Sequence, residues 1–389
     1  MLASALLQAA CAPTTRPAGP AASEPPRLVV LVVLDQCRAD YLARPELAGG
    51  TLDTLVHGGA WFPDAAHTHT VTFTAPGHAA IATGCLPARA GIPGNEWYDR
   101  ERRASVYCLD DSGAPLVGAG LLPGGKGAST AALERPTLGD VLQAERGGEA
   151  LVISVGWKDR SALLLGGRDA DGSYWIDKRS GRWATSRAIR AELPAFLTAL
   201  CPDPVREALG GTWADGGMSE RADDAPGERP PRGFGPTFPH VLPPAPAAGA
   251  DLTALTELVG TTPFADAAVA EAARIQLEYD ETDLGQDDVP DLLCVSFAAL
   301  DFAGHHFGPE SREVADVLRT LDLRLGSLIE QLDARAGRGR WTLALTADHG
   351  VQPVPEQCGG RRIDAAAARA ALEAALEARF GAPPPRAGE

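Results

Sequence analysis

Three acidic positions stand out in this chain, because two of them travel with a histidine. Asp301 and His305 lie four residues apart in Asp301-Phe-Ala-Gly-His305, a spacing that brings both to one side of a helical turn or tight loop and suits a metal ion. Asp348-His349 is a second such pair, and Asp35 adds a third carboxylate. A single Asp-x-x-x-His is as well explained by a surface hydrogen bond, but three acid-bearing stretches together are not. Mixed Asp and His ligation fits zinc, and two clusters suggest two ions that hold the attacking and the departing oxygens of a displacement at phosphorus. A hydroxyl for that displacement is offered by Thr74, in a hydroxyl-rich turn that leads into the helix-like stretch Ala75-Pro-Gly-His-Ala-Ala-Ile-Ala-Thr-Gly84. Pro76 suits a first helical turn, where its missing N–H would be unsatisfied anyway. Thr74 is thereby placed near the N-cap, where free N–H groups and the helix dipole stabilise an alkoxide or a phosphate. The same position also suits a Thr that does no more than cap its helix.

Strands must bring these residues together. Leu28-Val-Val-Leu-Val-Val-Leu34 is a continuous apolar run, the pattern of a central parallel strand covered on both faces, and Asp35 follows it directly. Residues 292–300 repeat the pattern and lead into Asp301, and Trp341-Thr-Leu-Ala-Leu-Thr346 leads into Asp348-His349-Gly350. Leu151-Val-Ile-Ser-Val155 ends just before Lys158 and Arg160. Helical periodicity runs over 314–332, with Val317, Leu318, Leu321, Leu325, Leu328 and Ile329 on one face, and an Ala-rich pattern covers 364–380. Strand and helix in alternation predict an α/β fold, a mostly parallel sheet flanked by helices. Ligands of such sheets bind beyond the carboxyl ends of the strands, where all of these charged residues fall. Residues 201–250, rich in Pro, Gly and charge, read as an insertion or cap, and 94–136 are irregular apart from Asn95-Glu-Trp-Tyr-Asp99.

The 389 residues, 45% hydrophobic and 22% charged, suit one large domain or two fused halves. With 35 basic against 51 acidic residues, a net charge of -16 and no basic run, nucleic acid is excluded as a partner. Residues 1–26 stand apart from the fold: a short apolar segment ending in small residues and Cys11, then a Pro- and Ala-rich tether. This start resembles a bacterial lipoprotein signal with Cys11 as the lipidated residue, which implies export to the periplasm or anchoring at the outer membrane. No later stretch approaches the roughly 20 apolar residues of a membrane span. Cys37, Cys85, Cys108, Cys201, Cys294 and Cys358 remain, an even number that permits disulfides but forms no C-x-x-C zinc motif. Cys294, within an apolar run, reads as a buried small hydrophobe.

Asp35, Thr74-Ala-Pro-Gly-His78, Gly91-Ile-Pro-Gly-Asn95, Asp301-x-x-x-His305 and Asp348-His349-Gly350 resemble the motifs of the alkaline phosphatase superfamily. The stretch Asp301-x-x-Gly-His-x-x-Gly-Pro309 is a specific signature of it, and the resemblance spans about 27–364. Lys158-Asp-Arg160 narrows it to the periplasmic phosphate-irrepressible branch with a threonine nucleophile. The resemblance implies that Thr74 attacks phosphorus to give a phospho-threonine, which a zinc-bound hydroxide then hydrolyses. Asp35, Asp348, His349 and the Thr74 oxygen would hold one Zn2+, and Asp301 and His305 the second. Asn95 would donate to a phosphoryl oxygen, while Lys158 and Arg160 meet the remaining charge. A monoester dianion carries one more charge than a diester, so that cationic pair points to small phosphate monoesters. The nucleotide pyrophosphatase/phosphodiesterases are similar in the Thr and metal motifs but lack the pair, which leaves diester hydrolysis as the alternative. His78 is expected to be a buried support of the nucleophile turn and His306 an outer or surface residue. His57, His67, His69 and His240 have no evident partner. Trp97 and Tyr98 would line the cleft or pack under it.

The family pattern includes one more histidine far downstream, and this chain has none after His349. The second zinc site therefore lacks its expected third protein ligand. A C-terminal truncation relative to the family is the expectation, with a degenerate relative that only binds metal or phosphate as the other reading.

Overall fold

The computed structural model describes residues 24–217, 221–279 and 282–382. Seven strands form the main sheet: β1 (Leu28–Leu34), β2 (Leu116–Val117), β3 (Val152–Gly156), β4 (Gly172–Asp177), β5 (Arg182–Ser186), β6 (Asp291–Phe297) and β7 (Trp341–Thr346). Their order is β7-β1-β6-β3-β4-β5-β2. Pairing is parallel from β7 through β4, and the β4–β5 and β5–β2 pairings are antiparallel, so only β5 runs against the rest. The expected mostly parallel α/β sheet is thus the observed one.

Helices cover both faces of its centre. Val30, Val32 and Leu34 of β1 join one core cluster with Val269 of α3 (Pro263–Glu278) and with Leu318 and Leu325 of α5 (Arg312–Arg335). Leu31 and Val33 point the other way, packing with Ala82 of α1 (Thr74–Thr83) and Leu165 of α2 (Asp159–Gly166). Alternation along the strand explains why the run is apolar at every position. It also fixes where Asp35 points, because a one-residue slip of β1 would turn that side chain to the opposite face.

Two expectations change at the sheet edge and beyond it. β7 does not repeat the fully covered pattern of β1: Thr342 and Ala344 are exposed, while Trp341, Leu343 and Leu345 pack on the core. An edge strand has only one neighbour, and its alternating sequence agrees with burial of one face. The Ala-rich pattern is helix α6 (Ala365–Phe380), capped by Asp364 through the N–H groups of Ala366 and Ala367, but none of its residues is buried. Helix formation there rests on capping and alanine propensity rather than on packing.

Residues 201–250 are largely irregular, as expected, yet they are pinned to α5. Thr212–Trp213 pairs antiparallel with His240–Val241. Trp213 Nε1 donates to Asp316 Oδ2 at 2.8 Å, and His240 Nε2 lies 2.9 Å from Glu313 Oε1. His240 therefore has a buried partner that no local spacing announced. The six cysteines from Cys37 onward are free thiols, and Cys294 is fully buried. Cys11 and the signal-like segment lie outside the described residues. Among the described residues, no helix is long and apolar enough to cross a membrane.

Candidate active site

The four strands that carry the predicted residues are consecutive neighbours, β7, β1, β6 and β3, all parallel. Their carboxyl ends therefore share one edge: Leu34 of β1 is level with Phe297 of β6, and Val33 with Thr346 of β7. Asp35 follows β1 at once, Asp348 and His349 follow β7, and Lys158 follows β3. Asp301 and His305 stand on α4 (Ala299–Phe307), which starts just after β6. Its first turn is held by buried Asp266 of α3, whose Oδ1 accepts from the N–H groups of Ala298 and Ala299 at 3.0 and 3.1 Å. The helical spacing brings His305 Nε2 to 3.1 Å from Asp301 Oδ1, as expected for residues four apart.

Asp35, Asp301 and His349 present ligand atoms that all lie within 4.8 Å of one another. Asp301 thus joins the Asp35 and His349 group rather than standing apart with His305, whose side chain is 65% exposed. Lys158 lies between the carboxylates, with Nζ 2.7 Å from Asp35 Oδ2 and 2.5 Å from Asp301 Oδ2. Asp348 Oδ1 accepts from the main-chain N–H groups of Gln36 and His349 at 3.1 and 2.9 Å. Three buried carboxylates face one ammonium, and the imbalance appears in their acidities. Burial, then Asp301 and Asp348, push Asp35 up to about 7. Burial also works against the charge on Asp301, but Lys158 and His305 outweigh it and hold that carboxyl well below the usual range. Asp348 is lowered as well, because His78 and His349 outweigh its burial. Burial opposes the Lys158 charge, yet Asp301 and Asp35 keep its pKa above the ordinary value.

The Thr74 turn is wired to this group. Thr74 is the first residue of α1 and Phe73 the N-cap, so the Thr74 hydroxyl does not cap its helix, and Thr74 is 3% exposed. His78, one turn on, is fully buried: Nδ1 lies 2.9 Å from the Thr74 carbonyl and 3.2 Å from Asp348 Oδ2, and Nε2 is 2.9 Å from Ser296 Oγ. That is the supporting role expected of it. Gly77 rests directly on Asp348, since an added Cβ would run into that residue's carbonyl oxygen. Asn95 Oδ1 accepts from Ala75 N–H at 2.8 Å, which leaves its amide nitrogen as the available donor.

A cleft of about 670 Å3 opens beside the carboxylates, lined by Asn95, Tyr107, Trp157, Lys158, Arg160 and Phe302 among others. The Phe302 ring lies 4.9 Å from Lys158 Nζ. Arg160 Nη1 is 3.5 Å from Tyr107 Oη, which in turn donates to Asp159 at 2.7 Å. Trp97 packs beneath this region and Tyr98 is exposed on the surface, and neither lines the cleft.

The residues present fit a divalent cation. Asp35 Oδ1 is buried without a hydrogen bond among the described residues, and the His78 Nδ1 that lies 3.2 Å from buried Asp348 Oδ2 is hydrogen-bonded to the Thr74 carbonyl; anionic oxygens so placed are costly unless a cation meets them. His349 Nδ1 lies 2.9 Å from the Gly350 carbonyl, which can only accept, so Nε2 is the nitrogen with a free lone pair. That Nε2 is 3.5 Å from both of these carboxylate oxygens.

A family model described as type I phosphodiesterase / nucleotide pyrophosphatase matches residues 29–381. The chain belongs to that family. Within it the chain is PafA-like, as its motifs imply. It is similar to alkaline phosphatase PafA of Elizabethkingia meningoseptica, 32% identical over 335 residues that make up 84% of this chain and 60% of the relative. Alkaline phosphatase PhoV of Synechococcus elongatus is 33% identical over 339 residues, 85% of this chain and 60% of that one. The chain thus spans 60% of the length of these curated relatives. The crystal structure of wild-type PafA matches with a TM-score of 0.81 and 29% identity, over 93% of this chain and 70% of that chain. A phosphonoacetate hydrolase from Sinorhizobium meliloti shares the fold, with a TM-score of 0.51 and 20% identity.

In this family member Asp35, Lys158, Asp301, His305, Asp348 and His349 lie at the one sheet edge, Asn95 and Arg160 line the cleft beside it, and Thr74 is tied to Asp348 through His78; His305 is the most exposed of them. Two supporting residues escaped the sequence reading. Asp266 sits 32 residues before the N–H it holds, with no pattern linking them. Gln36 is buried between Asp348 and Asp301, and its only signal was its place after Asp35.

Proposed function

We propose that the chain is a zinc-dependent phosphate monoester hydrolase with Thr74 as its nucleophile. One observation carries the reading: Asp35, Asp301 and His349 converge at one sheet edge, with Lys158 and Arg160 at the adjoining cleft, and the buried, non-capping Thr74 is tied through His78 to Asp348. Asp35, Asp348 and His349 would hold one zinc and Asp301 with His305 a second, supplying Lewis acidity that favours the Thr74 alkoxide and the departing oxygen. The Thr74 oxygen forms a bond to phosphorus as the ester oxygen leaves with the alcohol, giving a phospho-threonine. Water then attacks the same phosphorus, freeing Thr74 and inorganic phosphate. The Asn95 amide nitrogen donates to a non-bridging oxygen, and Lys158 and Arg160 face the extra charge that distinguishes a monoester dianion from a diester.

The test is hydrolysis of an aryl phosphate monoester and a matched diester, with zinc content measured on the same protein. Zinc-dependent turnover that Thr74→Ala abolishes, with the monoester preferred and that preference weakened in Arg160→Ala, is expected. A preference for the diester would make the chain a phosphodiesterase. Zinc uptake without turnover of either ester would leave a metal-binding protein. Export and a lipid tether at Cys11 belong to the same reading, supported only by residues 1–26, and radiolabelled palmitate incorporation that Cys11→Ala removes would test the tether.

A further inference from the structure

Gln36 occupies a conformation that L side chains rarely adopt, with φ of 65°. It is 2% exposed. Strain of this kind persists only where surrounding contacts hold it, and here the contacts are the candidate metal ligands. The Gln36 main-chain N–H donates to Asp348 Oδ1 at 3.1 Å. Its side-chain Nε2 donates to Asp301 Oδ1 at 2.7 Å and lies 3.3 Å from His305 Nε2. One residue therefore touches ligands from β7 and from α4, on either side of Asp35. Gly304 makes room for it: a Cβ there would collide with Gln36 Oε1, although the Gly304 backbone is ordinary helix.

We propose that Gln36 is a positioning residue that orients Asp301, and with it the Asp301 and His305 half of the site, and that Gly304 is a glycine to accommodate the Gln36 amide. This rests on the metal-dependent reading above. A carboxylate ligand carries two oxygens that can rotate, and a hydrogen bond to one of them selects which oxygen faces the ion. The geometry also predicts an asymmetry. The contact with Asp348 is made by the main-chain N–H and survives any substitution but proline, whereas the contact with Asp301 is made by the side chain alone.

The test measures zinc affinity by competition with a chromophoric chelator, on the metal-free full chain, beside its thermal unfolding. Gln36→Met keeps the volume and removes the donor. It should weaken the most loosely held zinc by about 10- to 100-fold, the usual effect of removing an outer hydrogen bond to a ligand. In a His305→Ala background the same substitution should have little further effect. Gly304→Ala should reproduce the loss although alanine favours the helix, so a purely structural role predicts the opposite trend in stability. Wild-type affinity in both variants, or a loss that persists in full on top of His305→Ala, overturns the inference. A wild-type chain that takes up no zinc overturns the proposed function and this inference with it.

Discussion

The Asn95 side chain accepts a hydrogen bond from the backbone N–H of Ala75 at 2.8 Å, so the residue next to the candidate nucleophile and the candidate phosphoryl donor are held by one contact. With Oδ1 engaged, the amide cannot turn over, and Nδ2 is the atom left to donate. Asn95→Asp keeps the acceptor for Ala75 and removes the donor. It should lower kcat/KM for an aryl phosphate monoester by about 10²- to 10³-fold, the usual effect of losing one such donor. The melting temperature should barely move. Unchanged kinetics would remove Asn95 from the site.

Lys158 separates Asp35 from Asp301, and Lys158→Met leaves two buried carboxylates facing each other. Breaking a buried pair costs about 3–5 kcal/mol, so the zinc-free variant should melt well below the zinc-free parent. Added zinc should narrow the gap, because a divalent cation offsets the same charge. Calorimetry with and without zinc checks this, and an equal gap in both would contradict it.

Gly77 has no room for a side chain, because the obstacle is the Asp348 backbone rather than a flexible tip. Gly77→Ala should cost about 1–3 kcal/mol of stability and displace a metal ligand as well. Gly58→Ala is the control, since nothing lies within 4 Å of a Cβ there. Denaturant unfolding of both variants tests the contrast, and comparable stabilities would show that the α1 and Asp348 contact yields easily.

Asp266 carries a pH signature. Burial pushes its carboxyl up to about 6, against the N–H groups of Ala299 and Ala298 and, more weakly, Lys158. A raised folded-state pKa means that the folded chain holds the proton more tightly, so the stability it contributes is present below about 4 and is lost as pH rises through 6. Asp266→Asn retains an acceptor for both N–H groups but does not titrate. Relative to the parent it should gain stability between pH 4 and 6, by no more than about 3 kcal/mol, and hold that gain at higher pH. A constant difference across this range would mean that Asp266 does not change its charge there.

Much of this molecule is written locally. Seven apolar residues in a row demand a strand covered on both faces, and a carboxylate straight after them must emerge at its carboxyl end. The four-residue spacing of Asp301 and His305 becomes a shared helical face through the geometry of one turn. His78, expected to support the Thr74 turn, reaches the Thr74 carbonyl through the same four-residue spacing.

What the chain order could not decide is which strand lies beside which. Asp301 joins Asp35 and His349 only because β6 and β7 flank β1, a lateral order that depends on pairings between segments hundreds of residues apart. Gln36 meets Asp301 across 265 positions, and His240 meets Glu313 across 73, and no periodicity records either contact. The half-exposed face of β7 and the unburied length of α6 are likewise tertiary outcomes, since an apolar residue is buried only where another element packs against it. Sequence alone determined the chemistry available at the strand ends, because local spacing sets which face a side chain takes. The tertiary structure decided which of those groups share charge and ligands, because burial and electrostatic coupling exist only between neighbours in space.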